Sequence, residues 1–349
     1  MRITAKYLLQ QIKADLIGKD AHRGVTLTYA WLANQFGHFA LGFIPTFILN
    51  RIFIYCKVQH PASWAATIIY AFWLLFEIYN LLAPILLKKS TGKLKLNRTG
   101  KYTFKPAWKH IFFDTSTDIV FFWIGTTACL ALLNNYTNSF WILLLLVTLL
   151  LLVAYPSVYW YRNKLYLQVA QFPFQLRLSQ WHFPIAPEHK HTVNQFLQRT
   201  TKGNVLLVFG HANSGRTSLA VAIATELAIQ EQLAHYTTYI KWQERINQAE
   251  NVATSTLQQW RNANVLVVDD INADTTYQPT LHTAQSFYEI LQRSMYAEQN
   301  KLALQQCNSI WVIGTTNGSS EEWQQMFNKL LGTQITIEII TLNTNTNQR

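Results

Sequence analysis

Residues 205–219 read VLLVFGHANSGRTSL, and the residue types and spacing fit one piece of chemistry, the holding of phosphate. Five apolar residues, Val205 to Phe209, run into Gly210. Gly215, Arg216 and Thr217 follow at the spacing G-x-x-x-x-G-R-T, and an apolar helical pattern covers Ser218 to Leu233. A strand, a glycine-bounded loop and a helix make a phosphate cradle. The loop N–H groups converge on anionic oxygens, and the helix N-terminus adds its positive partial charge. Gly210 and Gly215 suit backbone angles that a side chain obstructs. His211, Ala212, Asn213 and Ser214 in the loop, with Arg216 and Ser218 behind it, complete the candidate nucleotide-binding set. The Thr217 hydroxyl is placed to hold Mg²⁺. Arg216 stands where this pattern normally carries Lys. A chance glycine pair in an α/β domain is the plain alternative, and the downstream residues argue against it.

Val265-Leu266-Val267-Val268-Asp269-Asp270 is an apolar run ending in two carboxylates. In a buried parallel strand these acids emerge at the C-terminal edge, where ligands of open α/β sheets sit. Beside a phosphate loop, Asp269 can hold Mg²⁺ and Asp270 can orient and polarise an attacking water. A further apolar run ends in Ile313-Gly314-Thr315-Thr316-Asn317. The Asn317 amide at that tip can bond a terminal phosphate or its attacking water, although Thr-Asn-Gly is also an ordinary turn. The plain reading of Asp269 and Asp270, two acids ending a buried strand, is weaker once three elements stand in this order.

Together they resemble the AAA+ branch of P-loop ATPases over residues 203–340. GHANSGRT stands at the Walker A position, VLVVDD at Walker B and IGTTN at the sensor-1 strand. The Asp-Asp pair and the Asn317-Gly-Ser-Ser-Glu-Glu-Trp323 continuation look most like the initiator and helicase-loader branch. The resemblance implies a three-layer α/β domain with parallel sheet order 5-1-4-3-2, ATP and Mg²⁺ as cofactors, and adenine near the connector around Phe183–Ile185. Departures accompany it. Nine residues follow the last expected strand, so no helical lid is expected. Ser320–Leu331 offers only Lys329 where an arginine finger normally sits, and Arg293 on the previous helix is a poor substitute.

The elements that position this chemistry follow from alternation. Val205–Phe209, Tyr236–Lys241, Val265–Val268, Ile310–Ile313 and Gln334–Ile340 read as strands. Ser218–Leu233, Gln243–Ala263, Thr283–Gln299 and Ser320–Leu331 read as helices between them, which predicts a parallel sheet covered on both faces. Residues 162–204 form a juxtamembrane connector, broken at Phe172-Pro173 and Phe183-Pro184, with a short helix at Val193–Arg199.

The other half of the chain has a different character. Residues 1–160 carry 15 Lys+Arg against 5 Asp+Glu, whereas residues 161–349 carry 14 against 13. The net charge of +11 therefore belongs to the first half, and no nucleic-acid footprint is indicated on the second. Cys56, Cys129 and Cys307 lie far apart and form no zinc or disulfide pattern. After a basic segment at 1–28, four apolar stretches at 29–49, 64–87, 112–133 and 140–160 meet or approach the roughly 20 residues that cross a bilayer. The 88–110 segment between the second and third holds eight basic residues and no acid. By the positive-inside rule both termini, this segment and the 205–349 domain are cytoplasmic, which describes a multi-pass protein of a bacterial-type inner membrane.

Glu77 lies mid-span, where a charge is costly unless paired or protonated. It can serve an ion or proton path with His38 and Asn34, or a helix–helix hydrogen bond. The second is favoured because no other span carries a matching central charge. Asp114 and Asp118 are expected at the cytoplasmic start of the third span, as partners of Lys105 and Lys109. The leading function is thus a membrane-anchored, AAA+-like ATP-binding protein, with slow or partner-stimulated hydrolysis driving conformational change at the cytoplasmic membrane face. Its partners are the lipid membrane and a protein, self-association included. Two alternatives stand: a catalytically degenerate nucleotide-binding scaffold, and a nucleotide-gated transporter or channel.

Overall fold

The computed structural model describes residues 3–17, 25–86, 103–133, 139–199, 201–248, 259–271, 283–315, 318–332 and 335–342. It divides into two compact units. One comprises Met1–Leu8, Tyr102–Pro106 and Leu165–Arg349, and the other Leu9–Lys101 and Ala107–Lys164.

The second unit is helical. Helix α1 covers Ala5–Ile17, α2 Leu27–Tyr55, α3 Pro61–Leu86, α4 Trp108–Leu133 and α5 Ser139–Val169. Helix α1 forms within the basic 1–28 segment. Its buried Asp15 accepts a 2.7 Å hydrogen bond from Tyr161 of α5, a long-range partner that local composition does not reveal. The helices α2 to α5 are each long and apolar enough to cross a membrane. Only 17%, 22%, 39% and 17% of their most apolar windows are buried inside the protein, so most of that apolar surface faces outward. The larger share belongs to α4, which packs against α2, α3 and α5. Close approach of α2 and α4 is set by two glycines. A Cβ on Gly42 would run into the Phe122 carbonyl, and one on Gly125 into that of Phe39. Pro45 sits within α2 without ending it. Helix α3 starts earlier than expected, at Pro61, where a proline's missing N–H costs nothing. Leu87, the expected end of that span, lies outside the described residues.

The first unit is built on a five-stranded sheet: β1 Val205–Gly210, β2 Ala234–Thr238, β3 Val265–Ile271, β4 Asn308–Gly314 and β5 Ile337–Leu342. Every neighbouring pair is parallel, in the order β2-β3-β4-β1-β5, which is 5-1-4-3-2 read from the other edge. Side-chain alternation splits β1 between two faces. Val205, Leu207 and Phe209 join a core with Trp311 of β4 and with helices α8 (Tyr239–Ile246), α9 (Ala284–Arg293) and α11 (Ser320–Leu331). Its centre is aromatic: Trp242 stacks on Phe287 at 5.3 Å, and the edge of Trp311 meets both rings. The opposite face is covered by α7 (Arg216–Ile229), where every residue from Leu219 to Ile229 except Glu226 is buried.

Several boundaries differ from the sequence reading. β2 stops at Thr238 because Tyr239, Trp242 and Ile246 take helical spacing to reach the aromatic core. The expected helix over 243–263 resolves into the end of α8 and a 3₁₀ turn at Trp260–Asn262, with residues 249–258 outside the described residues. The expected 283–299 helix is two, α9 and α10 (Ala297–Gln306), parted at Ser294, whose hydroxyl bonds the Leu291 carbonyl at 2.8 Å. In the connector, α6 spans Pro187–Gln198 and begins with proline at its first turn.

Candidate functional site

The site is assembled where β1, β3 and β4 end. β1 is wholly buried and delivers Gly210 to the sheet's carboxyl edge. A Cβ on Gly210 would collide with the Ser214 hydroxyl and lie 3.1 Å from the Leu342 carbonyl. The loop then turns through left-handed angles at Asn213 (φ 63°) and Gly215 (φ 85°). At Gly215 a side chain is barred twice over, because a Cβ would also sit 2.6 Å from the Phe183 ring. No side chain caps α7, which leaves its first N–H groups facing the loop. Ser218 bonds its own loop instead, donating to the Gly215 carbonyl at 2.8 Å. Ser214 is buried, and its hydroxyl has no partner among the described residues.

Across the edge, β3 breaks register. Val268 pairs with Trp311 and Ile271 with Ile313, so Asp269 and Asp270 together oppose the single residue Val312. This bulge re-aims both carboxylates, and Asp270 accommodates it at φ 60°. Asp269 is 1% exposed and accepts three hydrogen bonds. They come from the Thr217 hydroxyl at 3.2 Å, the Tyr236 hydroxyl at 2.8 Å and the Asp270 N–H at 2.7 Å. Asp270 is exposed at the same edge. Desolvation first, then the neighbouring Asp269 charge, pushes its carboxyl above the ordinary range, with Arg216 opposing.

Tyr236 was invisible in the sequence as a site residue. It lies on β2, two residues before the Thr238 that registers with Asp269, so its side chain shares that face of the sheet. Its backbone N–H donates to the Ala170 carbonyl at 2.9 Å, which ties the end of α5 to the edge strand. Burial and the Asp269 charge push its phenol upward, so it remains a donor.

Arg216 takes an unforeseen seat. Its guanidinium bonds the Gly210 carbonyl at the tip of β1 and reaches the Ile313 carbonyl of β4 at 3.3 Å. His211 meets the Thr315 hydroxyl at 3.1 Å, a second link from the loop to the β4 tip. Asn317 lies outside the described residues. Arg293 pairs locally with Glu289 at 3.6 Å, and the Lys329 ammonium lies 4.2 Å from the centre of the Tyr288 ring.

The connector closes the loop from outside. Trp181 Nε1 donates to the Gly215 carbonyl at 3.1 Å, and the ring packs against Phe183. Phe104, from the basic segment before α4, meets Trp181 edge-on at 6.0 Å. Arg177 forms a two-pronged pair with Glu226 of α7 at 2.7 and 3.0 Å, which holds the connector to that helix. Among the described residues no three His, Cys, Asp or Glu side chains gather to hold a metal alone. A lone buried carboxylate beside a hydroxyl suits a cation that arrives with phosphate oxygens.

No protein-family model matches the chain, and no curated protein does either. Among solved structures, the crystal structure of the DnaC helicase loader is similar at 17% identity and a TM-score of 0.30. The match covers 52% of this chain and 98% of that one. A likeness so distant says nothing of activity or partners.

Proposed function

We propose that this chain is a membrane-embedded nucleotide-binding protein. Its β1–α7 loop takes ATP with Mg²⁺, and slow or partner-stimulated hydrolysis alters contacts at the cytoplasmic face. The observation that carries the reading is the pairing of the Thr217 hydroxyl with the buried Asp269 carboxylate at 3.2 Å, at the mouth of a glycine-bounded loop on the sheet's carboxyl edge. The unpartnered Ser214 hydroxyl and the space that only glycine permits at Gly215 fit the same group. The strand order and the sequence of motifs support an AAA+ resemblance.

In this reading the N–H groups of residues 211–216 and the start of α7 bind phosphates. Thr217 and Asp269 hold the metal, and Tyr236 fixes the Asp269 carboxylate. Asp270 orients water, and Asn317 is its helper by sequence position. Bound Mg²⁺ supplies charge neutralisation to the phosphate oxygens. Arg216 must leave two strand-tip carbonyls before it can serve a phosphate, which supports slow turnover. That seat also favours the second reading, a nucleotide-binding scaffold without turnover.

The outward apolar faces of α2 to α5 support membrane insertion, and the basic 88–110 segment supports cytoplasmic termini. Lipid covers those faces, and a protein partner or a second copy receives the conformational change. The decisive experiment is nucleotide binding by the full chain in lipid nanodiscs, with and without Mg²⁺. Asp269→Asn should abolish the Mg²⁺-dependent part of binding. Identical Mg²⁺ dependence in variant and wild type removes Asp269 from the site.

A further inference from the structure

Helices α2, α3 and α4 bring three ionisable side chains to one level. His38 Nδ1 of α2 lies 3.1 Å from Asp118 Oδ1 of α4, without an aligned hydrogen bond between them. This overturns the expectation that Asp118 serves an interfacial lysine. α4 begins at Trp108 and has advanced nearly three turns by Asp118, so its carboxylate meets α2 instead. On α3, Trp73 donates to the Leu41 carbonyl at 3.0 Å and lies flat on Phe122 at 4.0 Å. One turn later Glu77 is 6% exposed, near Asn80, whose amide is 3.5 Å away, and within electrostatic reach of Asp118 and His38. Glu77 therefore has ionisable neighbours on two other helices.

The charges around this group do not balance. A protonated His38 offsets one of the two carboxylates. Asp114, one turn before Asp118, has Lys164 of α5 within reach as its own counter-charge. The other Lys and Arg side chains described on α2 and α4 are distant. Arg51 is thirteen residues along α2 from His38, about 20 Å, and Lys109 nine residues from Asp118, about 14 Å. Among the described residues one negative charge would remain uncompensated inside the bundle, where it costs several kcal/mol. A proton on one carboxyl group removes that charge. Gln35 adds a buried acceptor on the same helix as His38. It sits one turn before His38 on the same side of α2 and is 5% exposed, and its Oε1 has no donor among the described residues. A protonated carboxyl group is such a donor.

We propose that His38, Glu77 and Asp118 form a buried protonation site, kept neutral by a proton on Glu77 and reached by water from the side of the exposed Asp114. Hydronium gives its proton to the Glu77 carboxylate and leaves as water. The far side is closed by the Trp73–Phe122 stack, with His38 4.6 Å from the Phe122 ring, and by the Gly42 and Gly125 contacts that admit no side chain. The site is a proton sensor rather than a conduit. Its cytoplasmic direction rests on the membrane reading above, whereas its neutrality rests only on burial within the bundle.

The test is infrared spectroscopy of the full chain in nanodiscs across a pH titration, reading the carbonyl stretch of protonated carboxyl groups. Wild type should show this band at neutral pH, and Glu77→Gln should remove one carboxyl equivalent. Asp118→Asn should remove it too, because an ionised Glu77 then balances His38 without a proton, while Asp114→Asn should leave it. Circular dichroism checks the helices, and Asp118→Asn decides alone if Glu77→Gln does not fold. A band untouched by Asp118→Asn or Glu77→Gln overturns the site. Release of the protein from membranes by alkaline carbonate would remove the cytoplasmic direction and leave the band result standing.

Discussion

Replacing Tyr236 by phenylalanine removes one hydroxyl and keeps the ring. That hydroxyl donates to Asp269 at 2.8 Å, and Asp269 is only 1% exposed. A hydrogen bond to a charged group contributes about 1.5–3 kcal/mol. In a domain of 150–250 residues each kcal/mol moves the melting temperature by about 2–4 °C, so Tyr236→Phe should melt roughly 3–12 °C below wild type. The phenol is raised above its ordinary value on folding, so its contribution is complete below that value. The gap should stay constant from neutral to mildly alkaline pH. Scanning fluorimetry of the full chain in nanodiscs, at one scan rate and without Mg²⁺, measures it. Adding Mg²⁺ with ATP should narrow the gap, because the metal becomes a second partner for Asp269, and ATP with chelator should not. A melting shift below about 1 °C, or a gap indifferent to Mg²⁺, refutes the claim that Tyr236 tunes a metal carboxylate.

Other substitutions probe neighbouring parts of the argument. Turnover of ATP by wild type should fall well below about 10 s⁻¹, and Arg216→Lys should raise it more than it raises affinity, because a lysine ammonium gives up the two-carbonyl seat more readily. Fast wild-type hydrolysis abolished by Arg216→Lys would show a loop adapted to its arginine. Buried His235, 3.1 Å from Arg245, is pushed down from 6.5 to about 4, by desolvation first and then by the arginine. It should therefore withdraw about 3 kcal/mol of stability as pH falls from 6.5 towards 4. His235→Phe should flatten the melting temperature across that window, and an unchanged acid slope would assign it to other groups. Cys56 is exposed, whereas Cys307 is buried with its thiol pushed up to about 12. A membrane-impermeant thiol reagent should label Cys56 on intact cells and leave Cys307 silent even after permeabilisation. Labelling of Cys56 only after permeabilisation reverses the topology.

What the sequence determined by itself is local. A glycine-bounded loop between an apolar strand and an apolar helix, two acids ending another strand, and four long apolar stretches are each contiguous in the chain. Their spacing fixes their type because backbone angles and side-chain periodicity act over a few residues. The tertiary structure decided whatever depends on the facing of distant elements. Tyr236 reaches Asp269 only because β2 lies beside β3 in parallel register. Arg216 finds its seat because β4 is inserted next to β1. The β3 bulge arises between strands, and α8 turns early to fill an aromatic core drawn from several elements. The same holds for Asp118, which by sequence distance alone belongs with its lysines. The relative rotation and offset of α2 and α4 place it against His38 instead, and no pattern within either helix encodes that offset.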